Sequence, residues 1–276
     1  MSLDGVDQSL SELHQDLPLS VALGAGGARG MAHLGVLEVL VERRFRITEM
    51  VGASVGALIT AFYAAVGLDL PAMRVLGLNL TSRHLLIWAW LRRAPGFIGR
   101  RFASRAGIIP EYLERLAATS GHRLHHGVER IGLVAYDLNR REELLFHNLQ
   151  PDFPLDAATR GAVAIPRFYP PKHCVVGGRE LRLIDGGVTN RLPVDKLFAP
   201  PFHPAQVLVV DISNRVSQRE ENLAKVRALR RRHPAIPIAV IRPNTLGKGT
   251  VIYGRQDMQE LIDSGRRVAE EAFSSG

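Results

Sequence analysis

The sequence holds a single cysteine, Cys174, among 276 residues, so no internal disulfide can form. No CxxC pair or Cys/His run stands at structural zinc spacing, and a reduced, cytoplasmic setting with no cofactor is the expectation. Aromatic side chains make up only 6% of the chain, against 46% hydrophobic and 22% charged. Together these values exclude a disordered, collagenous or coiled-coil class and fit one large globular core. Long apolar runs are also missing. The longest uncharged stretch, residues 50–68, is interrupted by Gly52, Gly56, Gly67, Ser54 and Thr60, and reads as a buried strand-to-helix segment instead of a membrane span. The first residues lack both a basic start and an apolar segment, so a flexible, polar lead-in over 1–16 is expected in place of a secretory signal.

What the chain does have is positive charge, with 35 Lys+Arg against 27 Asp+Glu and a net charge of +8. Such a balance suits nucleic acid or an anionic lipid surface. No RNP pattern, C2H2 spacing, basic zipper or helix-turn-helix signal is present, so no nucleic-acid partner is expected. The basic character concentrates in residues 70–110, which carry Arg74, Arg83, Arg92, Arg93, Arg100, Arg101 and Arg105, both Trp88 and Trp90, and no carboxylate. We expect this stretch to be an insertion on a single domain covering 17–276. Its Arg-rich part, 83–105, is the candidate for peripheral membrane contact, where Trp and Arg favour the interface.

The order of elements is legible from hydrophobic periodicity. An apolar strand over 19–23 runs into Gly24-Ala25-Gly26-Gly27-Ala28-Arg29-Gly30 and then a helix bearing Leu34, Leu37 and Val41. The same strand, glycine turn and helix recur over 47–66. Further strands are predicted at 131–136, 144–147, 181–184, 207–211 and 238–241, with helices at 111–118, 155–163, 218–232 and 256–273. Alternating strands and helices predict a three-layer α/β/α fold with a mainly parallel central sheet.

Three places carry chemistry. Gly52-Ala53-Ser54-Val55-Gly56 falls at the second strand-to-helix junction, where small neighbours permit the strained turn that exposes a serine Oγ at a helix N-terminus. The first glycine turn offers the amides of Gly26 and Gly27 to an oxyanion, with Arg29 as a supporting charge. A dinucleotide fingerprint counted from Gly24 fails there, because the third glycine position is Arg29. Asp185, at the end of an apolar strand and followed by Gly186 and Gly187, is the candidate base, its basicity raised by partial desolvation. The order Ser then Asp also suits a triad closed by His203 or His233. His122, His125 and His126 form a loop cluster without a matching carboxylate pattern, so no metal site is expected.

In combination these motifs resemble the patatin-like phospholipase family. The match runs through Ala25-Gly26-Gly27-Ala28-Arg29-Gly30 with Ala32-His33-Leu34-Gly35-Val36-Leu37, then Gly52-Ala53-Ser54-Val55-Gly56, then Asp185-Gly186-Gly187 with Asn190 and Pro193. The intervening Val134-Ala135-Tyr136-Asp137-Leu138 and Ala164-Ile165-Pro166 are similar too. The resemblance implies a lipid acyl hydrolase of phospholipase A, lysophospholipase or esterase type, working through a Ser54/Asp185 dyad and an acyl-enzyme on a lipid or acyl-ester substrate, without metal. A non-catalytic lipid-binding or regulatory protein on the same fold is the alternative. Three positions depart from the family pattern: Ala25 replaces its usual first glycine, Ala162 a common serine, and Arg167 the glycine after Ile-Pro. Ala25 would distort the loop if its position required a positive φ.

Overall fold

The computed structural model of the chain describes residues 12–79, 109–247, 249 and 253–274. Most of the Arg-rich stretch, including 83–105 with its two tryptophans, and the first eleven residues of the lead-in lie outside the described residues. The remainder of the lead-in is tied down. Leu13 is buried, and the side chain of Gln206 bonds His14 N–H, His14 O and Leu17 O.

Among the described residues eight strands form one sheet: β1 (Leu19–Leu23), β2 (Ile47–Ala53), β3 (Arg130–Asp137), β4 (Glu142–His147), β5 (Lys172–Val176), β6 (Arg179–Asp185), β7 (Gln206–Val210) and β8 (Ile238–Ile241). The neighbours β8, β7, β1, β2 and β3 are parallel, so the sheet is mainly parallel as the sequence predicts. The other three strands add antiparallel pairs: β4 and β6 to β3, and β5 to β6. Strand β5 is one that hydrophobic periodicity does not predict. Its alternation of half-buried and exposed residues marks it as the sheet's outer strand, too polar to announce itself.

Helices α1 (Met31–Glu42), α2 (Val55–Thr60, continued by a π-helical turn, Ala61–Val66), α3 (Leu70–Asn79), α4 (Ile109–Ala118), α5 (Leu155–Ala162), α6 (Val216–Arg232) and α7 (Arg255–Ser274) are joined to the strands by loops and short 3-10 turns. Strand alternation divides the core. Leu208 and Val210 of β7, with Ala239 and Ile241 of β8, face the helices α1, α2, α3 and α7. Val207, Val209, Ile238 and Val240 face α6 and the 3-10 turn Pro193–Phe198. The result is the expected sandwich of sheet between helical layers.

Helices α1 and α7 cross at close range. A Cβ on Gly35 would lie 2.0 Å from Ile262 O, and one on Gly265 2.0 Å from Ala32 O, so only glycine lets the two backbones meet. Helix α3 packs on the same layer with Leu70 and Met73 buried and Arg74 paired to Glu38. The start of the expected insertion is therefore part of the core layer.

Candidate active site

The register of β3 brings the two chemical motifs together. Strand β2 runs along one edge of β3 until Ala53 pairs with Val134. On that same edge, β6 arrives from the opposite direction, and its last residue, Asp185, pairs with the next residue, Ala135. Strand β4 occupies the other edge over 132–137. Two strands thus end head to head against β3, and the residues at their tips, Ser54 and Asp185, become neighbours although they stand 131 positions apart in the chain.

Ser54 is the turn between β2 and α2, with φ 55° and ψ −123°. A non-glycine residue held there carries strain of about 1–3 kcal/mol, sustained by the surrounding packing. Gly52 and Gly56 make that packing possible: a Cβ on Gly52 would fall 2.2 Å from the Gly56 carbonyl carbon, and one on Gly56 would fall 2.3 Å from Leu23 O. Ser54 Oγ donates a 2.6 Å hydrogen bond to Asp185 Oδ2, and both residues are about 95% buried. The other carboxylate oxygen, Oδ1, accepts from Gly187 N–H at 2.7 Å. Burial lifts the Asp185 carboxyl from its ordinary 3.8 to about 6, against the opposing pull of the Ser54 and Gly187 bonds and the charge of Arg191.

The first glycine turn packs against the same point. Gly24 N–H donates to Val210 O, Ala25 N–H to Arg191 O at 2.7 Å, and Arg29 N–H to Gly26 O. These bonds leave the N–H groups of Gly26 and Gly27 at the mouth of the 3-10 turn Gly27–Gly30 that leads into α1. Arg29, 6% exposed, folds back so that its Nε donates to Gly26 O at 3.0 Å, orienting the peptide that ends in the Gly27 amide. Ala25 does not adopt a positive φ; Gly27 does, at 56°, so the departure at Ala25 places no side chain in a left-handed conformation. Gly187 is where the segments meet. A Cβ there would lie 2.9 Å from both Ala25 Cβ and Asp185 Oδ1 and 3.8 Å from Ser54 Cβ.

Two supports are not assigned a role by the sequence. His33, fully buried on α1, bonds Gly24 O through Nε2 at 2.8 Å, and a carbonyl can only accept, so Nε2 carries the proton. Burial lowers its pKa to about 4 and keeps the ring neutral. Lys225 on α6 donates to Asn190 Oδ1, Leu192 O and Asp195 Oδ1, clamping the segment that follows Asp185. The motif that contains His33 does not reveal its contact with Gly24 O, which depends on how α1 packs against the first glycine turn.

The histidines considered for a triad are elsewhere. His203 precedes β7 and its N–H donates to Glu49 Oε1, while His233 precedes β8 and stacks on Phe198. Both therefore sit at the N-terminal ends of parallel strands, and Ser54 sits beyond a C-terminal end. His126 stacks on Tyr63 and His122 bonds Asn148 O. No group of three His, Cys, Asp or Glu side chains converges among the described residues. Arg167 takes φ 74°, the left-handed region suited to the glycine it replaces, on the loop whose Ala164 O accepts Asp185 N–H. Ala162 is fully buried on α5.

A family model of patatin-like phospholipases matches residues 21–198. The chain belongs to that family. It is 33% identical over 180 residues to an uncharacterized NTE family protein of Mycobacterium tuberculosis (strain ATCC 25618 / H37Rv), covering 64% of this chain and 44% of that protein. It is 28% identical over 182 residues to a patatin-like phospholipase domain-containing protein of Caenorhabditis elegans, covering 64% of this chain and 12% of that protein. The chain thus spans less than half the length of these relatives. In fold this patatin-like chain is similar to VipD from Legionella pneumophila, with a TM-score of 0.54 at 15% identity over 95% of this chain and 67% of that one. Human GIVD cytosolic phospholipase A2 gives 0.50 at 12% identity over 97% and 62%. Among the described residues no helix is long and apolar enough to cross a membrane.

Proposed function

We propose that this patatin-like protein is a serine-dependent carboxylic ester hydrolase that cleaves lipid acyl esters. The observation that carries the reading is the 2.6 Å bond from Ser54 Oγ to Asp185 Oδ2, made at a strained strand-to-helix turn. In the first step Ser54 Oγ attacks the ester carbonyl carbon while its proton passes to Asp185. The Gly26 and Gly27 amides receive the negative oxygen of the tetrahedral intermediate, each such donor contributing about 2.7–4 kcal/mol. Collapse expels the alcohol, which takes the proton from Asp185, and leaves the acyl group on Ser54. Water then attacks the acyl-enzyme, giving its proton to Asp185 and releasing the carboxylic acid as Ser54 is reprotonated.

A carboxylate is a weaker base than imidazole, and its lift to about 6 brings it closer to the pH at which it must work. Arg29, bonded through Nε to Gly26 O, acts by holding the oxyanion loop. A cytoplasmic location with peripheral attachment to anionic lipid through 83–105 is part of the same proposal.

Acyl release from p-nitrophenyl esters and phospholipids, measured beside fluorophosphonate labelling, tests the dyad. Ser54→Ala and Asp185→Asn should each lower kcat by about three orders of magnitude or more, with folding retained, and Ser54→Ala should abolish labelling. Serine-independent turnover would overturn the assignment. Absence of both release and labelling in the unaltered protein would favour a lipid-binding protein on the same fold.

A further inference from the structure

Arg191 stands between two buried residues that are held from three sides. Asn190 N–H donates to Gly186 O at 2.9 Å, which ties the segment to the turn carrying Asp185. Lys225 Nζ grips Asn190 Oδ1 at 2.8 Å and Leu192 O at 3.1 Å from α6. The carbonyl of Arg191 itself accepts the Ala25 N–H of the oxyanion loop at 2.7 Å. Its backbone is thereby fixed between the two halves of the catalytic centre.

The side chain behaves differently from its neighbours. Asn190 and Leu192 are buried, whereas Arg191 is exposed, and among the described residues its guanidinium makes no hydrogen bond or ion pair. It is near enough to Asp185 and to Arg29 for its charge to act on both. The Asp185 carboxylate offsets this charge without bonding it, so the guanidinium keeps its donors available for an anion from solution. Arg29 is buried beneath the loop, so Arg191 is the one of this pair that presents its charge to solvent. A planar guanidinium is suited to bidentate contact with a carboxylate or phosphate.

We propose that Arg191 recognises a negatively charged group on the ester substrate, so that the site selects anionic esters over neutral or zwitterionic ones. The proposal rests on the reading of Ser54 and Asp185 as the hydrolytic dyad. It makes Arg191 a specificity-determining residue, with its backbone bracing the loop and its side chain reading the substrate.

The test uses monomeric substrates at fixed ionic strength, so that the net charge of the protein toward a membrane does not enter. Dihexanoyl phosphatidylglycerol supplies an anionic phosphate, mono(p-nitrophenyl) glutarate an anionic carboxylate, dihexanoyl phosphatidylcholine a zwitterion and p-nitrophenyl butyrate a neutral ester. Arg191→Gln should lower the ratio of kcat/KM for anionic over uncharged esters by about tenfold, mainly through KM, and Arg191→Lys should retain part of it. A loss confined to the lipid or to the glutarate identifies the phosphate or the carboxylate as the group read. An unaltered ratio, or an equal fall for every ester through kcat, overturns the proposal. Calorimetric binding of the two lipids to Ser54→Ala and to Ser54→Ala/Arg191→Gln measures the same preference without turnover. Preference for the glycerol lipid should fall about tenfold in the double variant, and equal preference in both would sink the idea. Fluorophosphonate labelling of the unaltered protein reports separately on the dyad.

Discussion

Two buried aspartates lie on the same pair of strands and do opposite things. Asp137 ends β3 opposite Leu183, and Asp185 ends β6 opposite Ala135. Asp137 accepts the N–H groups of Arg182 and Asn139 and pairs with Arg140 at 3.2 Å. Burial pushes its pKa up, but those three donors outweigh it and hold the carboxylate below the usual range. Asp185 receives one hydroxyl and one N–H and, among the described residues, has no ion pair, so burial prevails and its pKa is raised to about 6. Both depth and donors separate the two carboxylates: Asp185 is the more strongly desolvated, and Asp137 has the additional donor and the cation.

The contrast is sharpest in stability. A carboxyl lifted from 3.8 to about 6 favours the protonated folded state. The folded chain therefore loses stability as pH rises through that interval, and near pH 7.5 the cost is about 3 kcal/mol. Asp185→Asn should remove that cost and raise the urea midpoint by the equivalent of about 1–3 kcal/mol while abolishing turnover. Asp137 runs the other way, since its lowered pKa contributes stability above the ordinary carboxylate range that is lost as pH falls through it. Asp137→Asn should accordingly cost about 1–3 kcal/mol at neutral pH. Equal shifts of the same sign in the two variants would break the comparison.

A smaller effect is expected in the pH profile. With Asp185 as base, kcat/KM for a neutral ester should fall on the acid side with a midpoint near 6. Arg191→Gln, which removes a nearby cation, should move that limb upward. A limb near the ordinary carboxylate value would mean that the buried environment of Asp185 is absent in solution. The smallest effect belongs to His33. His33→Leu leaves Gly24 O without its donor and should cost about 1 kcal/mol, read as a lowered thermal midpoint with a modest loss of kcat.

Ser54 and Asp185 were legible because the turns that carry them demand small residues, and Gly52, Gly56, Gly186 and Gly187 write that demand into the chain. Helix α3 was less legible. Its apolar residues were masked by the basic composition that follows, although Leu70 and Met73 pack on the helical layer. The roles of His33 and Lys225 were not legible, since the carbonyls and amide they bond lie on other elements brought near only by packing.

By itself the sequence determined the alternation of strands and helices, the two glycine turns and the residue types fit for acyl transfer, because periodicity and backbone sterics are local properties. Only the tertiary structure decided that β2 and β6 end against consecutive residues of β3, and that Arg191 is braced beside the first glycine turn. It also decided that a buried carboxylate with two donors titrates near 6. Those outcomes depend on register, burial and the summed field of distant charges, which exist only once the chain has folded.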